Sequence, residues 1–324
     1  MVKATVFLKD AFLGIGELED NSVDALITDP PYFLDGMGDT WEKSMVNVDK
    51  SKSQVVTSLR KGMKFDKQQG VDFENFMKKL ASEAFDKIKP GGWIISFSSP
   101  RLYHRLAVGV EDAGYEIRDM WEWIYTQNQM KAMSVARGLN SENLSEAERK
   151  VLENELLKWK TPQVKSCFEP IVLAQKPREG TFYENWRKYH IGLVNVKSEM
   201  GKDKLSTSNI ISTDLISDLL DKTFLVGKPT KKEKRNSSHL SVKPLALMKH
   251  LIEVTVPENG LVLDPFNGSG TTGIAAIISG RNFVGFENNK KYFEESLNRS
   301  KIEFETESTT NQFVSYSKRV NSLF

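Results

Sequence analysis

The chain has 324 residues, with 45 Lys and Arg against 43 Asp and Glu, a formal net charge of +2 and a pI of about 8.3. That length suits one large α/β domain with insertions or two smaller domains, and the near balance of charge means that any nucleic-acid contact has to come from a local patch. The single cysteine, Cys167, excludes an internal disulfide and a thiolate-rich zinc site, so no metal is expected and an intracellular, cytoplasmic setting is.

Along the chain, MVKATVFLKDAF reads as a first strand around Val6-Phe7-Leu8 and not as a signal peptide. No apolar run is long enough to span a bilayer, so no membrane role is expected. Asp24 to Ile27 is a second strand after the turn residues Asp20-Asn21-Ser22. It runs into Thr28-Asp29-Pro30-Pro31-Tyr32, where two prolines remove two backbone donors and end any ladder. From about 42 to 70 the composition turns to Lys, Ser, Gln and Asp, which predicts a mobile surface loop. Phe73, Phe76, Met77, Leu80, Ala84 and Ile88 then recur at helical spacing, and Lys89-Pro90-Gly91-Gly92 is expected to stop that helix before a strand over Trp93 to Phe97.

Tyr115 to Tyr125 reads as a strand, Ser145 to Glu148 as a capping box opening a charged helix, and Glu169 to Ala174 as a strand. Trp121, Trp123 and Trp159 are expected to pack in the core or a subdomain. Residues from about Lys176 to Ser238 lack a strong single period and carry the basic run Lys228 to Arg235. Pro244 then opens a helix with Leu245, Met248, Leu251 and Ile252 on one stripe. A β-α-β-α unit follows: Leu261 to Leu263, Thr271 to Ser279, Asn282 to Phe286 and Lys290 to Phe304.

Leu261 to Gly273, LVLDPFNGSGTTG, satisfies G-x-G-x-x-G through Gly268, Gly270 and Gly273. Glycines after a strand let backbone approach a ligand, and the helix N-terminus that follows favours an anion, either a pyrophosphate or an amino-acid carboxylate. Glu287 ends the next strand, where ribose hydroxyls would be bound in either case. Taken alone the fingerprint leaves both a nicotinamide dehydrogenase and an ordinary glycine turn open. The dehydrogenase gives no reason for DPPY.

The two stretches together resemble the DNA amino-methyltransferases that modify adenine N6 or cytosine N4. VLDPFNGSGTT is similar to their S-adenosylmethionine motif and TDPPY to their catalytic motif; the order, catalytic motif first, resembles the beta class. HLSVKPLALMKHLI, NFVGFE and FEPIVLAQKP resemble the segments before the cofactor strand, at the ribose strand and after the catalytic half. The resemblance implies an α/β fold: a doubly wound, mostly parallel, Rossmann-like methyltransferase sheet, circularly permuted, with an inserted target-recognition region.

It also implies a division of the chain. Residues 1–126 would form the catalytic half, 127–166 a helical insertion, 167–177 a sheet strand, 178–238 the target-recognition region, 239–305 the cofactor half and 306–324 a tail.

By the same resemblance Asp29 and the carbonyl of Pro30, fixed by Pro31, accept the hydrogens of an exocyclic amino group, and Tyr32 stacks a flipped base. S-adenosylmethionine is the implied cofactor, with Asp10, Ser241, Lys243, Asp264, Phe266, Asn267, Gly268, Ser269, Gly270, Thr271, Thr272 and Glu287 around it. Arg60, Lys61, Lys131, Lys231, Lys232, Lys234 and Arg235 are implied DNA contacts. Departures are His239-Leu240-Ser241 where His-Pro-Thr is common, and Gln129-Met130-Lys131-Ala132 where Gly-x-Pro-Lys is common.

The expected activity is transfer to adenine N6 in double-stranded DNA. Cytosine N4, RNA adenine and a non-catalytic nucleic-acid-binding module stand as alternatives. A homodimer and a cognate restriction endonuclease are the implied partners besides DNA. Cys167 follows Ser166 and not proline, which argues against carbon-5 cytosine methylation.

Overall fold

The computed structural model describes residues 2–31, 67–125, 132, 134–162, 166–196, 209–212, 224–225, 228–230, 233–234, 237–239, 241–303, 305–309 and 313–317. Its strands are β1 (Lys3–Leu8), β2 (Val23–Thr28), β3 (Ile88–Phe97), β4 (Glu116–Ile124), β5 (Phe168–Gln175), β6 (Ile210–Ser212), β7 (Phe224–Leu225), β8 (Leu261–Asp264), β9 (Asn282–Glu287), β10 (Glu305–Thr309) and β11 (Phe313–Ser317). The α-helices are α1 (Ala11–Gly16), α2 (Lys67–Phe85), α3 (Tyr103–Asp112), α4 (Glu146–Leu156), α5 (Phe182–Tyr189), α6 (Leu245–Thr255), α7 (Thr271–Ile278) and α8 (Lys290–Glu303).

The strands form one sheet in the order β10-β11-β1-β9-β8-β2-β3-β5-β4-β6-β7. From β1 to β3 the pairs are parallel; β5 runs antiparallel to both β3 and β4. This is the expected α/β, mostly parallel, permuted sheet: β1, from the start of the chain, takes the position beyond β9, from its end.

Side chains alternate between two faces, each buried. Ala25, Ile27, Trp93, Ile95 and Phe97 join one core with α6 and α7, while Leu26, Ile94, Phe73, Met77 and Leu106 join the other with α2 and α3. A parallel sheet covered on both sides needs this near-continuous apolar character. Trp121 and Trp123 lie in the first core as expected, but Trp159 is 70% exposed.

Several local features differ from the sequence expectation. Lys89-Pro90-Gly91-Gly92 lies inside β3 instead of ending a helix. Val23 pairs with Ile88 and Ala25 with Trp93, a bulge in which Gly91 adopts φ +78°; extra residues on one strand look like a helix stop when the partner strand is unknown. Helix α2 starts at Lys67, within the stretch expected as a loop. The short α1, the α3 helix and the α5 helix, opened by a Thr181–Glu184 capping box, are absent from the sequence expectation. Within the expected tail of 306–324, β11 pairs with β1 and closes that sheet edge.

Candidate active site

The order of strands reverses between β8 and β2, since the chain proceeds from β8 to β9 on one side and from β2 to β3 on the other. At such a point the carboxyl ends of neighbouring strands open a crevice. Asp29 follows β2 and Asp264 ends β8, so both motifs face that crevice. Thr28 Oγ1 donates to Asp264 Oδ1 at 2.8 Å, binding the two halves of the site although 236 residues separate them in the chain.

Asp264 is buried and is also bonded by Thr272 Oγ1 at 2.6 Å and by the Phe266 N–H at 3.1 Å. Burial pushes its carboxyl up to about 6, against these donors, which favour the ionised form. Asp264 thus ties the strand end to the first turn of α7. Phe266 packs against Phe76 of α2, ring centroids 5.8 Å apart.

The glycine loop folds over the end of β9. Gly268 and Gly270 have φ of +48° and +78°, conformations that side chains disfavour. The Gly268 N–H donates to Glu287 Oε2 and the Asn289 N–H to Glu287 Oε1, both at 2.8 Å. Glu287 is buried, and burial pushes its carboxyl up to about 7 despite those donors. His239 lies across the loop: a Cβ on Gly268 would stand 2.9 Å from its Nε2. Its Nδ1 accepts from the Ser241 N–H at 3.2 Å, and its ring meets Tyr292 in a T-shaped contact at 4.7 Å. Burial holds the imidazole below its ordinary pKa, which favours its neutral form.

Arg299 of α8, which sequence reading missed, donates through Nη1 to the Ser269 carbonyl and, at 3.1 Å, to Thr271 Oγ1. Nothing local marks it, because its role depends on α8 packing behind the loop. Ser269 Oγ lies 3.1 Å from Thr271 Oγ1. The Asn267 side-chain amide is buried with no hydrogen-bond partner among the described residues, as a group reserved for something other than protein would be.

Asp10 stands two residues beyond the end of β1, where Leu8 pairs with Glu287. Its Oδ1 accepts from the N–H groups of Phe12 and Leu13 at 3.0 and 3.3 Å, so it caps α1. An Asp before a short apolar run is an N-cap signal that the sequence did carry.

Ser241 and Lys243, expected around the cofactor, are both bonded to Asp29. Ser241 Oγ donates to Asp29 Oδ2 at 2.5 Å and Lys243 Nζ to the same oxygen at 2.6 Å. The segment before α6 passes the end of β2, which sequence spacing alone could not reveal. Lys243 is buried and also pairs with Glu169 Oε2 at 3.1 Å. Burial lowers an ammonium's pKa, but the Asp29 and Glu169 carboxylates outweigh it and hold Lys243 above its usual value. Pro30 is buried after Asp29. Tyr32, Arg60, Lys61, Lys131, Lys231, Lys232 and Arg235 lie outside the described residues. Lys234 is exposed, in a turn anchored to the start of α6 by a Glu233 Oε1 bond from the Leu245 N–H at 3.2 Å.

The sequence profile of the DNA methylase family of N6 and N4 methyltransferases matches residues 23–298, a span that holds both motifs. The chain belongs to the DNA methylase family. Its sequence is similar to the Type II methyltransferase M.HindIII of Haemophilus influenzae, 29% identical over 322 residues that cover 92% of this chain and 95% of that one. It shares 47% identity over 62 residues with the DNA adenine methyltransferase YhdJ of Escherichia coli, 19% of this chain and 21% of that one. The fold is similar to that of PvuII DNA methyltransferase (cytosine-N4-specific), with a TM-score of 0.58 at 14% identity over 95% of this chain and 89% of that one. Members of the family draw the methyl group from S-adenosylmethionine, and this methylase is an enzyme that transfers it to DNA. Among the described residues, no helix is long and apolar enough to cross a membrane.

Proposed function

We propose that this methylase modifies the N6 amino group of adenine in double-stranded DNA, at a base turned out of the helix, and that Asp29 and the Pro30 carbonyl are its hydrogen-bond acceptors. The observation that carries the reading is the meeting of Asp29 with Asp264 and the glycine loop across the Thr28 bond.

The donor supplies an electrophilic methyl carbon on a sulfonium. Residues suited to hold it are Glu287, for ribose hydroxyls, and the Asn267–Thr272 loop, which follows the end of β8 and leads into α7. Asp10 and Phe266 lie at the strand ends on either side and suit the adenine of the donor.

The target amino group is a poor nucleophile because its lone pair is conjugated with the ring. Asp29 accepting one amino hydrogen, and the Pro30 carbonyl the other, bend the nitrogen out of plane and free that pair for in-line attack. Positive charge grows on nitrogen during transfer, and the Asp29 carboxylate is aimed where it grows. The nitrogen then loses one proton, through Asp29, to water. The adenine assignment is supported by Asp, and not Ser, at position 29, and by the matched segment of the adenine enzyme from E. coli.

Lys131, Lys231, Lys232, Lys234, Arg235, Arg60 and Lys61 are proposed to meet the DNA backbone, and residues 178–238 to select the sequence. A homodimer and a partner endonuclease belong to the same proposal. The test is to incubate the protein with tritiated S-adenosylmethionine and unmethylated duplex DNA, digest, and identify the labelled nucleoside. N6-methyladenine is expected; N4-methylcytosine would overturn the base assignment, and label only in an RNA substrate would overturn the choice of DNA.

A further inference from the structure

Lys243 stands between two carboxylates, and only one of them belongs to the DPPY motif. Its Nζ is 2.6 Å from Asp29 Oδ2 and 3.1 Å from Glu169 Oε2, with the Phe97 ring centroid 4.7 Å away. The lysine side chain is 8% exposed and the Glu169 side chain 25%. Glu169 reaches this place because β5 runs against the parallel strands, so its first residues lie at their carboxyl ends. The backbone there is fixed on both sides: Glu169 pairs with Trp123 of β4, and the Ser98 N–H donates to the Pro170 carbonyl at 2.9 Å.

A lysine bound to Asp29 alone would blunt it. The ammonium cancels the field of the carboxylate and weakens it as an acceptor for an amino group that is becoming positive. A second carboxylate on the same ammonium leaves the trio with one net negative charge and keeps Lys243, and through it Asp29 Oδ2, in one position. Buried cations are tolerated where carboxylates surround them in this way.

We infer that Glu169 is a positioning residue of methyl transfer, acting through Lys243 to fix the Asp29 carboxylate and to offset the ammonium charge beside it. The inference rests on the reading of Asp29 as the amino-group acceptor. Other charged or titratable groups acting on the trio are Tyr125 at the end of β4, His239 before α6 and Asp264 at the end of β8. Tyr125 is held un-ionised, its phenol pushed up to about 12 by burial and then by Glu169.

The test is the pH profile of single-turnover transfer to DNA for wild type, Glu169→Gln, Lys243→Met and the double variant, with cofactor KM and thermal melting alongside. Lys243→Met leaves two carboxylates facing each other, so the acid limb should move up by about 1–2 pH units, with a loss at pH 7 of roughly 100-fold. Adding Glu169→Gln removes that repulsion; the limb should return by about one unit and roughly tenfold of the rate should be recovered. Glu169→Gln alone should lower the rate, displace the limb downward and leave cofactor KM unchanged.

An acid limb at the same pH in all four proteins would overturn the inference, as would a double variant no better than Lys243→Met. If Lys243→Met does not fold, Glu169→Gln alone decides: a rate loss with an unmoved limb shows a structural role only and overturns it. Wild type that labels no DNA at any pH overturns the methyl-transfer reading itself, and is told apart from the other failures by that control.

Discussion

The Thr28 hydroxyl donates to Asp264 Oδ1 at 2.8 Å, joining the last residue of β2 to the last residue of β8. Thr28 is fully buried, and Thr28→Val would remove the donor with little change of volume. A buried acceptor deprived of a partner costs about 1–3 kcal/mol, here moderated because Thr272 and Phe266 still bond Asp264. Urea unfolding should show a lower midpoint with an unchanged slope, and transfer should fall because the Asp264 carboxylate loses one of the bonds that fix it beside the end of β2. An unaltered midpoint and rate would show the bond to be idle.

Glu287 predicts a pH dependence with a definite sign. Its folded carboxyl is raised to about 7 from 4.5 by burial, so it favours the fold fully below about pH 4.5, and that contribution is lost as pH rises through 7. Glu287→Gln, which cannot ionise, should therefore gain on wild type in the absence of cofactor as pH rises from 5 to 8. The gain is on the order of 3 kcal/mol at most, reduced by whatever the amide loses in accepting from Gly268 and Asn289. Cofactor affinity should behave oppositely: ionised Glu287 is the better acceptor, so wild type should bind more tightly at pH 8 than at pH 6 and the variant should show no such slope. Thermal melts and calorimetric titration at both pH values check the two signs.

Arg299 should matter to the cofactor and not to the amino-group acceptors. It holds the Ser269 carbonyl and Thr271 Oγ1 from behind the glycine loop. Arg299→Met keeps the stem packing and removes the donors, so a loop carbonyl and hydroxyl lose partners at a cost of about 1–3 kcal/mol. The expected readout is a rise of roughly tenfold in cofactor Kd with a smaller change in the transfer rate at saturation. A normal Kd with a low rate would place Arg299 in a different role.

Much of this was legible in the sequence where the signal is local. The prolines after Thr28, the glycines after Asp264 and the acidic end of β9 each announce themselves within a few residues, and the order of the two motifs implied the permuted sheet. What escaped depends on how strands are arranged. Lys243 and Asp29 are 214 positions apart, and their pairing follows from β2 lying beside β8. Glu169 shows in the sequence only as part of a strand, because strand direction is not written in apolar alternation. Asp10 shows a different failure: its N-cap signal was present, but a six-residue helix is too short to give a periodic pattern. The Lys89–Gly92 bulge in β3 looks like a helix stop in the sequence because a bulge is defined only against its partner strand.

The role of Asp29 as the amino-group acceptor is decided by Asp29→Asn. The amide keeps the shape and can still accept from Ser241, whereas Ala would leave the buried Lys243 with Glu169 alone. Transfer of tritiated methyl to unmethylated duplex DNA in a single turnover should fall by about 100-fold or more, with the Kd for S-adenosylmethionine unchanged within about threefold, because Asp29 acts on the amino group and not on the donor. Retained transfer, or a cofactor Kd that weakens in step with the rate, would contradict it.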